Sequence, residues 1–290
     1  MPEIENYRSP LQLEDAVRIL ADGNVTILCG GTDLALQTET GRRQYARTLM
    51  NIRRIEGLSG TGVVDGRVRI GALTTVTGIM KDDLIRELAP VLAETADCFA
   101  SDQIRNAASI GGNICNASPA GDMIIPLLVL DAEIELACWK DGAVATRLVP
   151  LDGFFTGPGK TVKQDNELLT AVLFNKPDDN FVACFKKSGP RPALEIAAVS
   201  LAVGGELKDN RLRNVRVAMG AVGPAPLRAR RLEAYLEGKP LNADNIKMAA
   251  ETAADDARPI DDIRASIWYR NHLIRIYTEE LLHRVAENRD

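Results

Sequence analysis

The residues best suited to chemistry form one run, Ile104-Arg105-Asn106-Ala107-Ala108-Ser109-Ile110-Gly111-Gly112-Asn113-Ile114-Cys115-Asn116-Ala117-Ser118-Pro119-Ala120-Gly121-Asp122. Small residues, amide side chains and one late carboxylate crowd together here in a segment too polar for a core, which is the composition of a wall around a large polar ligand. Gly111 and Gly112 let the backbone approach phosphate oxygens without a Cβ in the way. Ser109 and Asn113 add neutral donors, and Ser118-Pro119 predicts a helix start whose free N–H groups face an anion. Asp122 suits a ribose hydroxyl, whose hydrogen bond it would accept. A second run of the same character, Cys29-Gly30-Gly31-Thr32-Asp33-Leu34, directly follows the apolar Val25-Thr26-Ile27-Leu28. Two separated phosphate-tolerant loops point to a dinucleotide, while on composition alone ordinary turns are an equal reading.

Elsewhere the chain is poor in reactive side chains. Its only histidines, His272 and His283, are eleven residues and about three helical turns apart, on a similar face but too distant to share a metal. A Ser/Cys–His–Asp hydrolase therefore has no base. The five cysteines, at 29, 98, 115, 138 and 184, never come closer than seventeen positions. That spacing suits neither zinc nor a ferredoxin-like cluster, so any iron–sulfur cluster belongs to another chain. The cysteines read as small buried hydrophobes, with Cys29 and Cys115 inside the ligand loops. Gly157-Pro158-Gly159-Lys160-Thr161 imitates a P-loop, but the motif's first glycine would fall at Phe154 and Pro158 lacks an N–H, so a structural turn is expected. No GxGxxG follows a strand. Trp139 and Trp268 read as packing residues. With side-chain chemistry this scarce, a cofactor must carry any reaction.

Those loops need a scaffold, and 290 residues that are 46% apolar suffice for a core and two or three subdomains. A net charge of −5, with basic residues scattered apart from Arg228-Ala229-Arg230-Arg231, argues against nucleic acid as a partner. The first residues lack a basic and then apolar leader, and the best apolar run, 124–130, is broken by Pro126 and too short for a bilayer. The expectation is a cytoplasmic protein with no membrane partner.

Ser9-Pro10-Leu11-Gln12 predicts a capping box opening an amphipathic helix through about Leu20, stopped by Gly23-Asn24. A strand at 25–28, a helix at 34–40 and a strand at 49–52 complete a small unit of about 1–55. Asp65-Gly66 predicts a hairpin over 63–70, and Asp141-Gly142 another between 132–137 and 143–149. Between them Thr74 and Thr75 suit a helix cap, 83–99 reads as helix broken at Pro90, and the polar run reads as loop. A strand at 167–174 closes a subdomain of 56–176. The turn-rich Pro177-Asp178-Asp179-Asn180 is the best linker, giving a first region of 1–176 and a second domain of 177–290. In the latter, strands at 181–187, 196–207 and 212–222 precede helices at about 229–236, 243–255 and 262–287. Strands first and helices last indicate α+β rather than alternating βαβ units.

At these motifs the chain resembles the FAD-binding (medium) subunit of molybdenum hydroxylases, the xanthine dehydrogenase family. The resemblance spans almost the whole sequence, through the GGTDL loop, the IRNAASIGGNICNASPAGD run, Gly153-Phe154-Phe155-Thr156-Gly157-Pro158-Gly159-Lys160-Thr161, Phe185-Lys186-Lys187 with Glu195-Ile196-Ala197, and Arg264-Ala265-Ser266 with Tyr269-Arg270. It implies an α+β, two-subdomain FAD-binding fold of the vanillyl-alcohol-oxidase-like (PCMH) type, then a C-terminal domain with a small three-stranded antiparallel sheet and three helices. It implies that Gly30 to Leu34, with Leu28 and Cys29, wrap the pyrophosphate, while Ala108, Ser109, Ile110, Gly111, Gly112 and Asn113 contact phosphate and ribitol. By the same resemblance Asp122 holds the adenosine ribose, Leu168 shelters the adenine or ring region, and Lys187 approaches the isoalloxazine and tunes it.

The activity so implied is electron transfer from partner-chain [2Fe–2S] clusters through FAD to NAD or another acceptor. The molybdopterin cofactor would sit on a large subunit and the clusters on a small one, in a dimer of heterotrimers. No four-cysteine insertion of the aromatic-thioester reductase branch is present, and the NICN and FFTGPGK stretches look closer to xanthine dehydrogenase-like subunits, which points to purines or related N-heterocycles. Two rivals stand beside this reading: a free-standing flavin oxidoreductase, and a non-redox flavin-fold assembly subunit.

Overall fold

Three apolar cores, two of them shared between neighbouring parts of the chain, organise the computed structural model, which describes residues 4–189 and 195–287. Part of the 185–197 stretch that carries the resemblance therefore lies outside the described residues. The first unit contains β1 (Asn6–Arg8), α1 (Leu13–Ala21), β2 (Val25–Leu28), α2 (Leu34–Glu39) and β3 (Thr48–Asn51). Its strands form a parallel sheet in the order β1-β3-β2. Helix α1 starts later than the Ser9 capping box predicts: Gln12 is its N-cap without a side-chain cap, and the Gln12 amide instead donates to Glu56. Ala16, Val17 and Leu20 are its buried stripe.

The middle unit opens with β4 (Thr61–Val64) and β5 (Arg67–Gly71), joined through Asp65 and Gly66 at positive φ as the sequence predicts. Five short helices follow: α3 (Val76–Lys81), α4 (Asp83–Leu88), α5 (Pro90–Asp97), α6 (Asp102–Ala107) and α7 (Ile110–Asn116). Side chains of Thr75, Asp82, Ser101 and Ser109 cap four of them. Most of the polar run expected as loop is therefore α6 and α7. No helix starts at Ser118-Pro119; Ala117 takes a left-handed conformation that ends α7, and a turn leads to α8 (Ile124–Val129), all six residues of which are buried. Then come β6 (Glu133–Lys140), β7 (Ala143–Pro150), the tiny hairpin β8 (Phe155–Gly157) and β9 (Lys160–Thr161), and β10 (Leu168–Asn175). The P-loop mimic is that hairpin's turn. The antiparallel sheet runs β4-β5-β10-β6-β7.

The C-terminal part holds β11 (Phe181–Ser188), β12 (Val199–Lys208), β13 (Arg211–Gly220) and β14 (Leu227–Arg228), followed by α9 (Arg230–Leu236), α10 (Ala243–Thr252) and α11 (Ile267–Glu287). Its antiparallel sheet has four strands rather than three, because the short β14 pairs with β13. Helix α11 begins at Ile267, not near 262, since the Asp262 carboxylate is taken by the Arg264 and Ala265 N–H groups and by Arg270. Trp139 lies under the Arg18 guanidinium, but Trp268 is exposed and stacked on His272 rather than packed in a core.

Candidate functional site

The chain leaving β2 and the caps of α7 bring both glycine loops onto one cleft with a cavity volume of about 450 Å³. The loops touch each other, and Gly30 is what permits it: a Cβ there would lie 2.0 Å from the Ala107 carbonyl oxygen. Gly31 takes φ +74°, the left-handed region that favours glycine. Across the contact Cys29 Sγ is 3.1 Å from Ser109 Oγ, and Gln37 of α2 donates to Asn116 of α7 at 2.8 Å. The cleft is thus built between two units by short, specific contacts.

The two loops offer different groups. The N–H groups of Gly30, Gly31, Thr32 and Asp33 find no acceptor among the described residues. The amides that open α7 are already used: Ile110 donates to the Thr74 carbonyl, Gly111 to that of Ala72, Gly112 to Ser109 Oγ and Asn113 to the Ser109 carbonyl. Gly111 consequently serves packing rather than close approach to a ligand, since a Cβ there would lie 2.9 Å from the Ala72 carbonyl oxygen. Among the α7 residues that line the cleft, Asn113 has its Oδ1 buried without a partner.

Of the residues expected from sequence, Cys29 to Leu34, Ala108, Ser109, Gly111, Gly112, Asn113 and Leu168 line the cleft. Leu28 and Ile110 do not: Ile110 is a core residue, and Leu28 supports the loop from below, with its Cδ1 3.2 Å from where a Gly31 Cβ would sit. Sequence reasoning missed Gln37, Arg43 and Lys163, all in the wall, and named Asn116 only as part of the polar run. Lone polar residues beside a turn carry no pattern that marks them. Burial pushes the Asp33 carboxyl up, and the Cys115 thiol up to about 11.

Asp122 and Lys187 are not among the residues that line this cleft, and they bind each other. Lys187 Nζ on β11 donates to Asp122 Oδ2 at 2.8 Å, with side chains 5% and 7% exposed, in the seam where the turn before α8 meets the C-terminal sheet. Asp122 Oδ1 is buried with no partner. Burial raises the Asp122 carboxyl above the ordinary aspartate range, against the pull of the Lys187 ammonium. Cys98 lies within the field of both. The sequence resemblance assigns these residues to different parts of FAD, the adenosine ribose and the isoalloxazine, and the structure brings the two side chains together.

Among the described residues no group of three or more His, Cys, Asp and Glu side chains is arranged to hold a metal ion, and no helix is long and apolar enough to cross a membrane. The family model described as the FAD binding domain in molybdopterin dehydrogenase matches residues 2–176, and that of the CO dehydrogenase flavoprotein C-terminal domain matches 183–285. The xanthine dehydrogenase FAD-binding subunit of Escherichia coli O157:H7 is 32% identical over 285 residues, covering 97% of this chain and 96% of that one. The glyceraldehyde dehydrogenase medium chain of Sulfolobus acidocaldarius is 31% identical over 288 residues, covering 98% and 99%. Among solved structures, a carbon monoxide dehydrogenase from Hydrogenophaga pseudoflava that lacks the Mo-pyranopterin moiety superposes with a TM-score of 0.91 at 26% identity, over 98% of this chain and 97% of that one. A cleft between two glycine loops, an α+β fold shared end to end and two family models in sequence agree: the chain belongs to the FAD-binding subunit family of the molybdenum hydroxylases.

Proposed function

We propose that this chain is the electron-transferring FAD subunit of a xanthine dehydrogenase-like molybdenum hydroxylase. The observation that carries the reading is the cleft: four loop amides without acceptors and the unpartnered Asn113 Oδ1 form the donor and acceptor set that a diphosphate and a polyhydroxyl chain require. Bound FAD supplies the redox chemistry, taking electrons singly and giving them up in pairs. The chain's own residues hold and orient it. Residues 30–33 and Asn113 would hold its central portion, and buried Leu168 in the same wall would shelter its adenine or ring region. Asp122 and Lys187, being mutual partners, would face the same part of FAD, and at the isoalloxazine the Lys187 ammonium would favour a negatively charged ring.

Electrons would arrive from [2Fe–2S] clusters on a small subunit, after substrate oxidation at a molybdopterin cofactor on a large one. Support comes from the dispersed cysteines, which give this chain no cluster ligands of its own. NAD is the proposed acceptor, a purine or related N-heterocycle the proposed substrate, a dimer of heterotrimers the proposed assembly and the cytoplasm the proposed location. Purification of the chain alone and with its partner chains tests the reading. Alone it should carry about one FAD per chain that NADH or a dye reduces reversibly, and hydroxylation should appear only in the complex. Substrate turnover with peroxide release by the isolated chain would replace this reading with a free-standing oxidoreductase. Bound flavin that nothing reduces would leave an assembly role.

A further inference from the structure

The cleft wall carries two cations, Arg43 and Lys163, and two carboxylates, Asp33 and Asp165. Neither cation belongs to a glycine loop: Arg43 follows α2, and Lys163 lies between β9 and β10. The Arg43 guanidinium pairs with no carboxylate or carbonyl among the described residues, which leaves its donors available. Lys163 is held differently. Its Nζ donates to the Gln164 carbonyl at 2.8 Å and to the Glu167 carbonyl at 3.1 Å, so two of its N–H groups fix its position and one is left over. Both cations line the same cleft as Cys115, and both pull back the thiol that burial pushes up to about 11. Cys29 acts on the same sulfur and touches Ser109, so this is the region where the loops meet.

A diphosphate brings negative charge that amides alone meet only with partial dipoles. The amides opening α7 are spent within the protein, leaving those of 30–33. Formal positive charge in the wall comes, among the described residues, from Arg43 and Lys163 alone. The two carboxylates in the same wall, Asp33 and Asp165, oppose the phosphate, so both cations are needed to offset them.

We propose that Arg43 and Lys163 form a charge clamp for the diphosphate, and that this clamp makes the cleft prefer FAD over flavins that lack a diphosphate. The proposal rests on the FAD reading above.

The test uses the full chain freed of flavin and titrated with FAD, ADP and riboflavin at low and high salt. Arg43→Gln and Lys163→Gln should each weaken FAD and ADP about tenfold, as the loss of one charge-assisted hydrogen bond implies, and leave riboflavin unchanged. The double variant should lose most of the salt dependence of FAD binding. Lys163→Arg should keep the parent's affinity. If Lys163→Gln disturbs the loop that Lys163 braces, exposed Arg43 decides alone. A double variant that binds FAD within about twofold of the parent, with the same salt dependence, while Asn113→Ala loses it, overturns the clamp and leaves the FAD reading standing. A parent chain that binds neither FAD nor ADP overturns both.

Discussion

At the scale of residues, the Asp122–Lys187 contact is a buried ion pair with a large energetic consequence. Two charges at 2.8 Å, both nearly excluded from water, repay their desolvation only through each other. Removing one partner leaves the other charge buried and unpaired, which costs about 3–5 kcal/mol. Replacing both by uncharged side chains of similar size removes the penalty with the attraction. Asp122→Asn and Lys187→Met should therefore each lower stability steeply, and the double variant should recover most of the loss. Urea unfolding of the three variants measures the coupling directly. Additive single effects would show that the contact seen here does not exist in solution. The pair was invisible in sequence as a pair: its members are 65 positions apart and stand in unrelated motifs.

At the scale of elements, the segment that carries Lys163 and Leu168 to the cleft is tied by one carboxylate. Glu167, 4% exposed, accepts from Arg147 Nε at 2.6 Å and Nη2 at 2.9 Å and from the Gln164 N–H at 2.7 Å. Burial pushes this carboxyl up, but the Arg147 and Gln164 hydrogen bonds and the charges of Arg147 and Lys163 bring it below the ordinary glutamate range. A lowered folded pKa adds stability that is full above the unfolded value and is lost as pH falls through the folded one. Glu167→Gln should hence cost about 1–3 kcal/mol at neutral pH and much less once acid has protonated the wild-type group. Equal deficits at neutral and acid pH in urea unfolding would refute that account. Local signals of this kind divide into those legible in the sequence and those not. Asp65-Gly66, Asp141-Gly142 and the break at Pro90 could be read because turn and helix-start chemistry is local. Helices α6 and α7 escaped because six and seven residues rich in Gly, Asn and Ala carry no apolar period, although Ser101 and Ser109 cap them. The Ser9 box failed because Gln12 found a distant partner in Glu56. Most of the cleft was legible through its glycines, but those at 30 and 111 proved to serve contacts between protein segments, which no single-sequence pattern distinguishes from contact with phosphate.

Over the whole molecule, the turn at 177–180 divides the chain but not its cores. Along β12, Leu201 and Val203 face the core built with the C-terminal helices, while Ala202 between them belongs to the core of the middle unit. Strand β13 repeats the pattern: Val217 and Met219 face the helices, and Ala218, paired with Ala202, faces the other way. That second face is built from small residues because α8 lies on it. A Cβ at Gly204 would come within 2.5 Å of Val129 Cγ1, and one at Gly220 within 2.9 Å of Ile125 Cδ1. The C-terminal sheet is thus clamped between two cores, and α8 has no other cover for this side. A fragment of residues 1–176 would expose Ile125 and Val129, and 177–290 would expose Phe185, Ala202 and Ala218. Each fragment alone should accordingly be loosely packed, binding ANS and lacking the near-ultraviolet circular dichroism of the full chain. Mixed or co-expressed, the two should restore both signals, since the seam is complementary and only one peptide bond is missing. Cooperative unfolding of 1–176 by itself, without ANS binding, would show that the boundary at 177 separates independent domains and that α8 needs no sheet beneath it.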